Sequence, residues 1–317
     1  MPKRVAPRFG IGEWYGHSFI RLTAEQRRNY ARIAPVQTKQ NAPPCPFLSK
    51  HIPTPCPKKG GVCSLRLYDA SEDGSAKPVD GEDGKLRVVC PHRFKQNGTI
   101  YSAVSHLLIG TLDPVIVPEV RFLRRNPNRL KTDDELPEIS EDVRSEDVGN
   151  IDIVLVNPTH PEMGWCALEI QAVYFSGEKM NLLFAHIENY IGDGIPFPDK
   201  GRRPDYRSSG PKRLMPQLQI KVPTLRRWGK KMAVVVDVPW FRTNVVGVET
   251  VADISNCDIA WFLVDFDEST DPATLLITSP QLQTLERAVE GLTGGFPVSL
   301  VEFESKIRDK ILRGITL

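Results

Sequence analysis

What the 317-residue sequence lacks narrows its class first. No run approaches the roughly 20 apolar residues of a membrane-spanning helix, and the opening MPKRVAPRFG has no apolar centre of the signal-peptide kind. A soluble protein of the cytoplasm, with no membrane partner, is therefore expected. Neither charge sign is in excess: 41 basic residues stand against 39 acidic ones. A nucleic-acid partner must then be argued from clusters rather than from net charge. No internal repeat and no paired CxxC knuckle is present. With 40% hydrophobic and 25% charged residues, the chain can bury one large core or two modest ones without disulfide staples.

Local patterns give the organisation. In RLTAEQRRNYARI, Thr23 can cap a short helix and Gln26 can close a capping box. Residues 1–40 read as an N-terminal helical arm. Residues 41–97 are rich in Pro, Gly and Cys and show no long helix. From 98 to the end, helices and strands mix. YSAVSHLLIG (101–110) reads as a helix and VIVPEVRFL (115–123) as a strand, followed by an acidic stretch over 131–150 that reads as a solvated loop around a short strand.

IDIVLV (151–156) and GWCALEIQAVYF (164–175) flank NPTHPEM, whose residues make turns, so a β-hairpin is predicted. Helices are predicted over 178–191 and 214–231, central strands over 231–238 and 259–266, and two closing helices after that. The fold class is α/β (α+β): a mixed central sheet flanked by helices, since a hairpin at its centre excludes a wholly parallel sheet.

Six cysteines in a reducing compartment argue against a disulfide framework. Cys166 and Cys257 lie in apolar runs and read as buried thiols. Cys45, Cys56, Cys63 and Cys90 fall instead in the helix-poor segment. Four thiolates there suit a closed tetrahedral metal site that substitutes for a core. His92 is an alternative ligand, and zinc or iron fits four sulfurs. With no position left open, such a site is structural.

A second constellation carries chemistry. In ALEIQAVYF, Glu169 and Gln171 lie two apart on a strand and share a face. A buried unpaired carboxylate costs several kcal/mol at least, so Glu169 is expected to be paired, protonated or holding a cation. The hairpin brings Asp152 across from it. Two carboxylates so close suit Mg²⁺, which keeps waters and takes phosphate oxygens. Gln171 could orient an attacking water but cannot be its base. Asp152 with Glu169-Ile170-Gln171 is the pattern of the PD-(D/E)xK nucleases, with glutamine in the lysine position.

Joined, the two features resemble the NotI-type restriction endonucleases: Cys45-Pro46-Phe47-Leu48, Gly61-Val62-Cys63, Val89-Cys90-Pro91 and Leu168-Glu169-Ile170-Gln171, with WFLVDFDESTDP similar to that family's late segment. The resemblance implies a PD-(D/E)xK domain over residues 98–317 and catalytic Asp152, Glu169 and Gln171. It adds an upstream glutamate, Glu138 in PEIS or Glu119 in VPEV. The proline of the PD dipeptide is absent, because Asp152 follows Ile151. The resemblance also implies iron rather than zinc on the cysteines, and Mg²⁺-dependent hydrolysis of both strands of a GC-rich palindrome to leave 5′-phosphates. A palindrome implies a two-fold homodimer on double-stranded DNA.

Basic clusters at Arg121–Arg125, Lys200–Arg213 and Arg226–Lys231 are candidate phosphate clamps. GRRPDYRSSGPKR leads for groove contact, and Lys58 or Lys59 are further candidates. A different class also fits, a non-catalytic metal-stabilised DNA-binding protein in which Glu169 is merely paired to an arginine. A modification-dependent or repair nuclease is a third reading.

Overall fold

The computed structural model describes residues 5–48, 52–72, 74–123, 149–160, 162–199, 201–245, 247, 249–293 and 298–313. In chain order these hold β1 (Arg8–Trp14), β2 (His17–Ser18), α1 (Ala24–Ile33), β3 (Val62–Ala70), β4 (Ala76–Pro78), β5 (Arg87–Val88), α2 (Thr99–Ile109), β6 (Val115–Arg121), β7 (Asn150–Asn157) and β8 (Gly164–Ile170). There follow β9 (Phe175–Gly177), α3 (Met180–Glu188), β10 (Arg202–Pro204), α4 (Tyr206–Ser209), α5 (Met215–Arg227), β11 (Met232–Asp237), α6 (Val238–Asn244), β12 (Ile259–Asp267), β13 (Thr274–Ile277), β14 (Gln281–Gln283), α7 (Leu285–Leu292) and α8 (Leu300–Leu312).

Among the described residues the larger sheet has seven strands in the order β13-β12-β11-β8-β7-β6, with β14 also on β12. β11 runs parallel to both β8 and β12, while β7 runs antiparallel to both β6 and β8. The sheet is mixed, as expected. Alternation along each strand sorts its side chains to two faces. Ile153, Leu168, Val235 and Phe262 pack under α2 with Ile100 and Val104. Val154, Ala167, Val234 and Trp261 pack under α5 and α7 with Leu218, Val222 and Leu292. Strand β11, MAVVVD, is buried throughout because both faces are covered.

The capping box holds: the Thr23 hydroxyl accepts from the Gln26 amide at 3.1 Å, and the Gln26 side chain accepts from the Thr23 amide at 2.8 Å. The rest of the N-terminal third departs from expectation. Residues 8–14, expected in a helical arm, form β1, and β1 pairs along β3 from within the cysteine segment. The expected boundary at residue 41 thus divides two strands of one sheet, β2-β1-β3-β4 with β5 on β3. The glycines of RFGIGEW hid the strand, since glycine lowers strand propensity. They are there for closeness. A Cβ at Gly12 would stand 2.7 Å from a Leu86 methyl, and one at Gly10 would stand 2.8 Å from the Pro198 ring. The expected acidic loop lies, apart from Gly149 and Asn150, outside the described residues.

A buried guanidinium fixes the smaller sheet against the larger. Arg93, fully buried, donates through Nε to both Glu13 oxygens at 2.9 Å, through Nη1 to Gln96 Oε1 at 3.0 Å and through Nη2 to the Ala273 carbonyl at 2.7 Å. Its plane lies between Phe47 and Phe266, 4.5 and 4.2 Å from the ring centroids. Ser64 donates to Glu13 at 2.9 Å, so every partner of the pair is committed. Replacing Arg93 by methionine strands the Glu13 carboxylate in the interior, a loss of about 3–5 kcal/mol for a broken buried pair. Denaturant unfolding measures it, and a loss below about 1 kcal/mol would contradict the assignment.

Candidate active site

The hairpin sets the site. β7 pairs β8 with Ile153 opposite Leu168 and Val154 opposite Ala167, so the next rung places Asp152 opposite Glu169. On the other side, Pro118 faces Ile153 and Val120 faces Ile151, so Glu119 falls level with Asp152. Glu119, Asp152 and Glu169 thus stand in one row across three strands, and the row continues to Val234 on β11. Glu119 is exposed and has a φ of +53°, a left-handed backbone rare for a glutamate in a strand. Glu138 lies outside the described residues.

Glu169 has the parity of Ala167, so its side chain enters the face under α5 and is only 3% exposed. Asp152, at the open end of the same rung, keeps 52% of its side chain exposed. Gln171 follows Glu169 just beyond the strand end. Its amide N–H still bonds the Val235 carbonyl at 2.9 Å, and its side-chain nitrogen donates to the Ala172 carbonyl at 2.6 Å. The amide nitrogen is therefore spent on backbone, leaving the carbonyl oxygen as the end able to accept from a water.

The cation on Glu169 was not legible as such in the sequence. Lys221, on the buried face of α5, donates to Glu169 Oε2 at 2.6 Å and to Gln217 Oε1 at 2.8 Å, and lies 3.4 Å from Asp152 Oδ1. Gln217 and Lys221 are four apart and so neighbours on one helix face. The available signal was a lysine at a position where the pattern Leu218, Val222, Leu225 calls for an apolar residue.

These groups open onto a cleft of about 440 Å³ between the two sheets, walled by Asp152, Glu169, Gln171, Gln217, Arg213 and Tyr174 on one side and by Lys58, Lys59, Val62 and Leu65 on the other. Lys58 is tied to the Val89 carbonyl at 3.0 Å. Arg213 stacks on Tyr174, 3.7 Å from the ring centroid. The loop expected to meet DNA keeps Arg203, Arg207, Lys212 and Arg213 exposed, whereas Arg202 is buried and Lys200 lies outside the described residues.

The cluster Arg226–Lys231 is largely spent on the fold. Arg226 pairs Asp258 at 2.5 Å and Glu286 at 3.0 Å, and Lys231 donates to the Ser255 and Cys257 carbonyls. Arg226 and Lys231 are thus engaged within the fold, while Arg227 stays exposed. Of the cluster at Arg121–Arg125, Arg121 is exposed at the end of β6, and Arg124 and Arg125 lie outside the described residues.

Cys45, Cys56, Cys63 and Cys90 are all buried and unbridged. They neighbour one another in a ring, Cys45 on Cys56, Cys56 on Cys63, Cys63 on Cys90 and Cys90 on Cys45. The bond from Cys56, with the backbone amides of Phe47 and Leu48, brings the Cys45 thiol down to about 7, whereas burial pushes the Cys63 and Cys90 thiols up and the bond to Cys45 together with burial pushes up Cys56. His92 Nδ1 is buried with no hydrogen-bond partner. The donor chemistry fits a soft metal. The coordination group itself is not assembled: among the described residues no three or more His, Cys, Asp or Glu side chains are placed to hold an ion. Cys56 and Cys63 point their sulfurs at the Lys58 and Gly61 carbonyls instead. Cys166 and Cys257 are buried thiols, as expected.

The family model described as restriction endonuclease NotI matches residues 29–276, most of the chain. The chain belongs to the NotI restriction endonuclease family. It is thus a restriction endonuclease, a hydrolase that binds and cleaves double-stranded DNA. No curated protein sequence matches it. Among the described residues no helix is long and apolar enough to cross a membrane.

Burial pushes the Glu169 carboxyl up to about 7; Lys221 pulls it down and Asp152 adds to the rise. A carboxyl raised above its ordinary 4.5 gives the fold a share of stability that is complete below that value and is lost as the pH climbs through about 7. In metal-free protein, the melting temperature of Glu169→Gln relative to the parent should therefore rise across that window. An offset equal at about pH 5 and about pH 8 would contradict it.

Proposed function

We propose that the chain is a type II restriction endonuclease of the prokaryotic cytoplasm, acting as a two-fold homodimer that cuts both strands of a GC-rich palindrome through a PD-(D/E)xK site. The supporting observation is the shared rung of Asp152 and Glu169 at the mouth of a cleft, in a chain of this family. The residues fit Mg²⁺, which binds proteins through one or two carboxylates and takes its other ligands from waters and substrate phosphate. Asp152 and Glu169 would hold it, and when bound it would polarise the phosphodiester and lower the pKa of the attacking water.

The chain's own part is to orient. Gln171 offers its carbonyl oxygen to the water, and Lys58, Lys59 and Arg213 line the walls along which phosphates pass. The water oxygen bonds to phosphorus as the bond to the 3′ oxygen breaks. One water proton leaves to solvent, the 3′ oxygen takes up another, and a 5′-phosphate remains. For the third carboxylate, Glu138 in PEIS and Glu119 in VPEV are the candidates, and Glu119 has the register in its favour. Arg203, Arg207 and Lys212 are proposed for the DNA backbone or guanine edges, for which arginine's fork is suited. The four cysteines are proposed as a structural iron site, with zinc the alternative and His92 the substitute ligand.

The ion pair from Lys221 to Glu169 favours a second reading, a DNA-binding protein that does not cut. With Mg²⁺ the wild type is expected to cut GC-rich plasmid at discrete sites, and Glu169→Ala to bind the same DNA but lose cleavage by about 10³-fold or more. Binding without cleavage by the wild type supports the second reading, and undiminished cutting by Glu169→Ala removes the active-site assignment. For the cysteines, elemental analysis of purified protein is expected to give iron near one per chain. Protein that carries neither iron nor zinc would refute that site.

A further inference from the structure

The strand motif of this site lacks its positive charge. Gln171 stands where an ExK strand carries lysine, and its amide is bound to backbone. An ammonium nevertheless sits on Glu169, delivered from the opposite layer by α5. We propose that Lys221 is the positioning residue that supplies, from the helix, the charge the strand motif lacks. The inference rests on the nuclease reading of the site and deepens it.

Three observations carry it. All three ammonium hydrogens have partners: Glu169, Gln217 and Asp152 at 2.6, 2.8 and 3.4 Å, so the group is aimed rather than tucked away. Lys221 is itself 5% exposed, on a helix face otherwise made of Leu218, Val222 and Leu225. A buried ion pair is no more stabilising than well-packed apolar residues of the same volume, so packing does not account for a lysine there. Finally, Lys221 stands behind the carboxylates and not on the cleft wall, whereas Glu169, Asp152 and Gln217 all reach the cleft.

From there it fixes the orientation of Glu169 and offsets one of two neighbouring negative charges. DNA phosphate can then approach them before any metal is present. It acts through Glu169 and need not touch substrate.

Moving the lysine tests this. Lys221→Met, Gln171→Lys, the double variant and Glu169→Ala are compared with wild type by three measurements: single-turnover cleavage in Mg²⁺, DNA affinity in EDTA, and melting temperature. Lys221→Met is expected to lose about 10²–10³-fold in cleavage rate, the scale of removing one preorganised electrostatic group. It should also bind DNA about 10-fold more weakly without metal, from the uncompensated carboxylate. The double variant should regain most of the lost DNA affinity in EDTA, because the ammonium returns to Glu169 from the strand, while its cleavage recovers only in part, because the water-orienting oxygen of Gln171 is gone. A packing role would not be rescued by a lysine at residue 171, on the cleft wall.

Gln171→Lys alone should bind DNA in EDTA no more tightly than wild type, since the charge is already supplied, and should cut more slowly, since the water loses the Gln171 oxygen. That variant decides the matter even if Lys221→Met fails to fold: faster cleavage by it overturns the proposal. Lys221→Met that cuts like wild type while Glu169→Ala is dead overturns the proposal and leaves the nuclease reading standing. Cleavage by Glu169→Ala as well would overturn the nuclease reading itself.

Discussion

A carboxylate on a central strand, 3% exposed, must meet a cation, and much of this structure can be read as the means of supplying one to Glu169. The strand cannot do so, because its same-face neighbours are Ala167 and Gln171. The hairpin brings a second carboxylate, Asp152, which adds to the demand. The helix above answers with Lys221, and for its ammonium to reach Glu169 the helix must lie flat on that face of the sheet. Leu218, Val222 and Leu225 hold it there against Val234 and Trp261. Core and site therefore share one helix, and what packs α5 also aims the lysine.

The second constraint is the placement of the cysteine segment. The cleft has a far wall only because the smaller sheet is docked on the larger. The docking is polar and buried: Arg93 between Glu13 and Ala273, Arg66 on Glu268 at 2.6 Å, and the Ser18 amide on Asp271 at 2.7 Å. β5 adds to this from within, since the Val88 amide donates to Asp237 at 2.8 Å and the Val88 carbonyl accepts from Val173, two residues past Gln171. Burial raises the Asp237 carboxyl to about 6, while the Val88 and Trp240 amides pull it back down. A metal on the neighbouring cysteines would stiffen this wall further, beside the buried cluster of Trp14, Tyr15, Phe47 and Phe184 that already packs it.

What could be read in the sequence was what depends on local periodicity. The hairpin, its turn, the pairing of Asp152 with Glu169 and the capping box at Thr23 all follow from alternation or fixed offsets along the chain. β1 was missed, because Gly10 and Gly12 break the strand signature for the sake of close approach to Tyr68 and Leu86. Lys221 was missed for a different reason. Its partner is 52 residues away, and only the packing of α5 on the sheet brings the two together. The ion pairs of Arg226 were not legible either, because a run of arginines carries no sign of the carboxylates that pair with it, here Asp258 and Glu286.

The central claim is that the rung of Asp152 and Glu169 hydrolyses DNA at a defined sequence. Digestion of a sequenced plasmid library by the purified protein in Mg²⁺, with every new end mapped and its phosphate located, tests it most directly. The account expects paired cuts at a single GC-rich palindrome, symmetric about its centre, each carrying a 5′-phosphate. Intact DNA, or ends scattered without a common sequence, would contradict it.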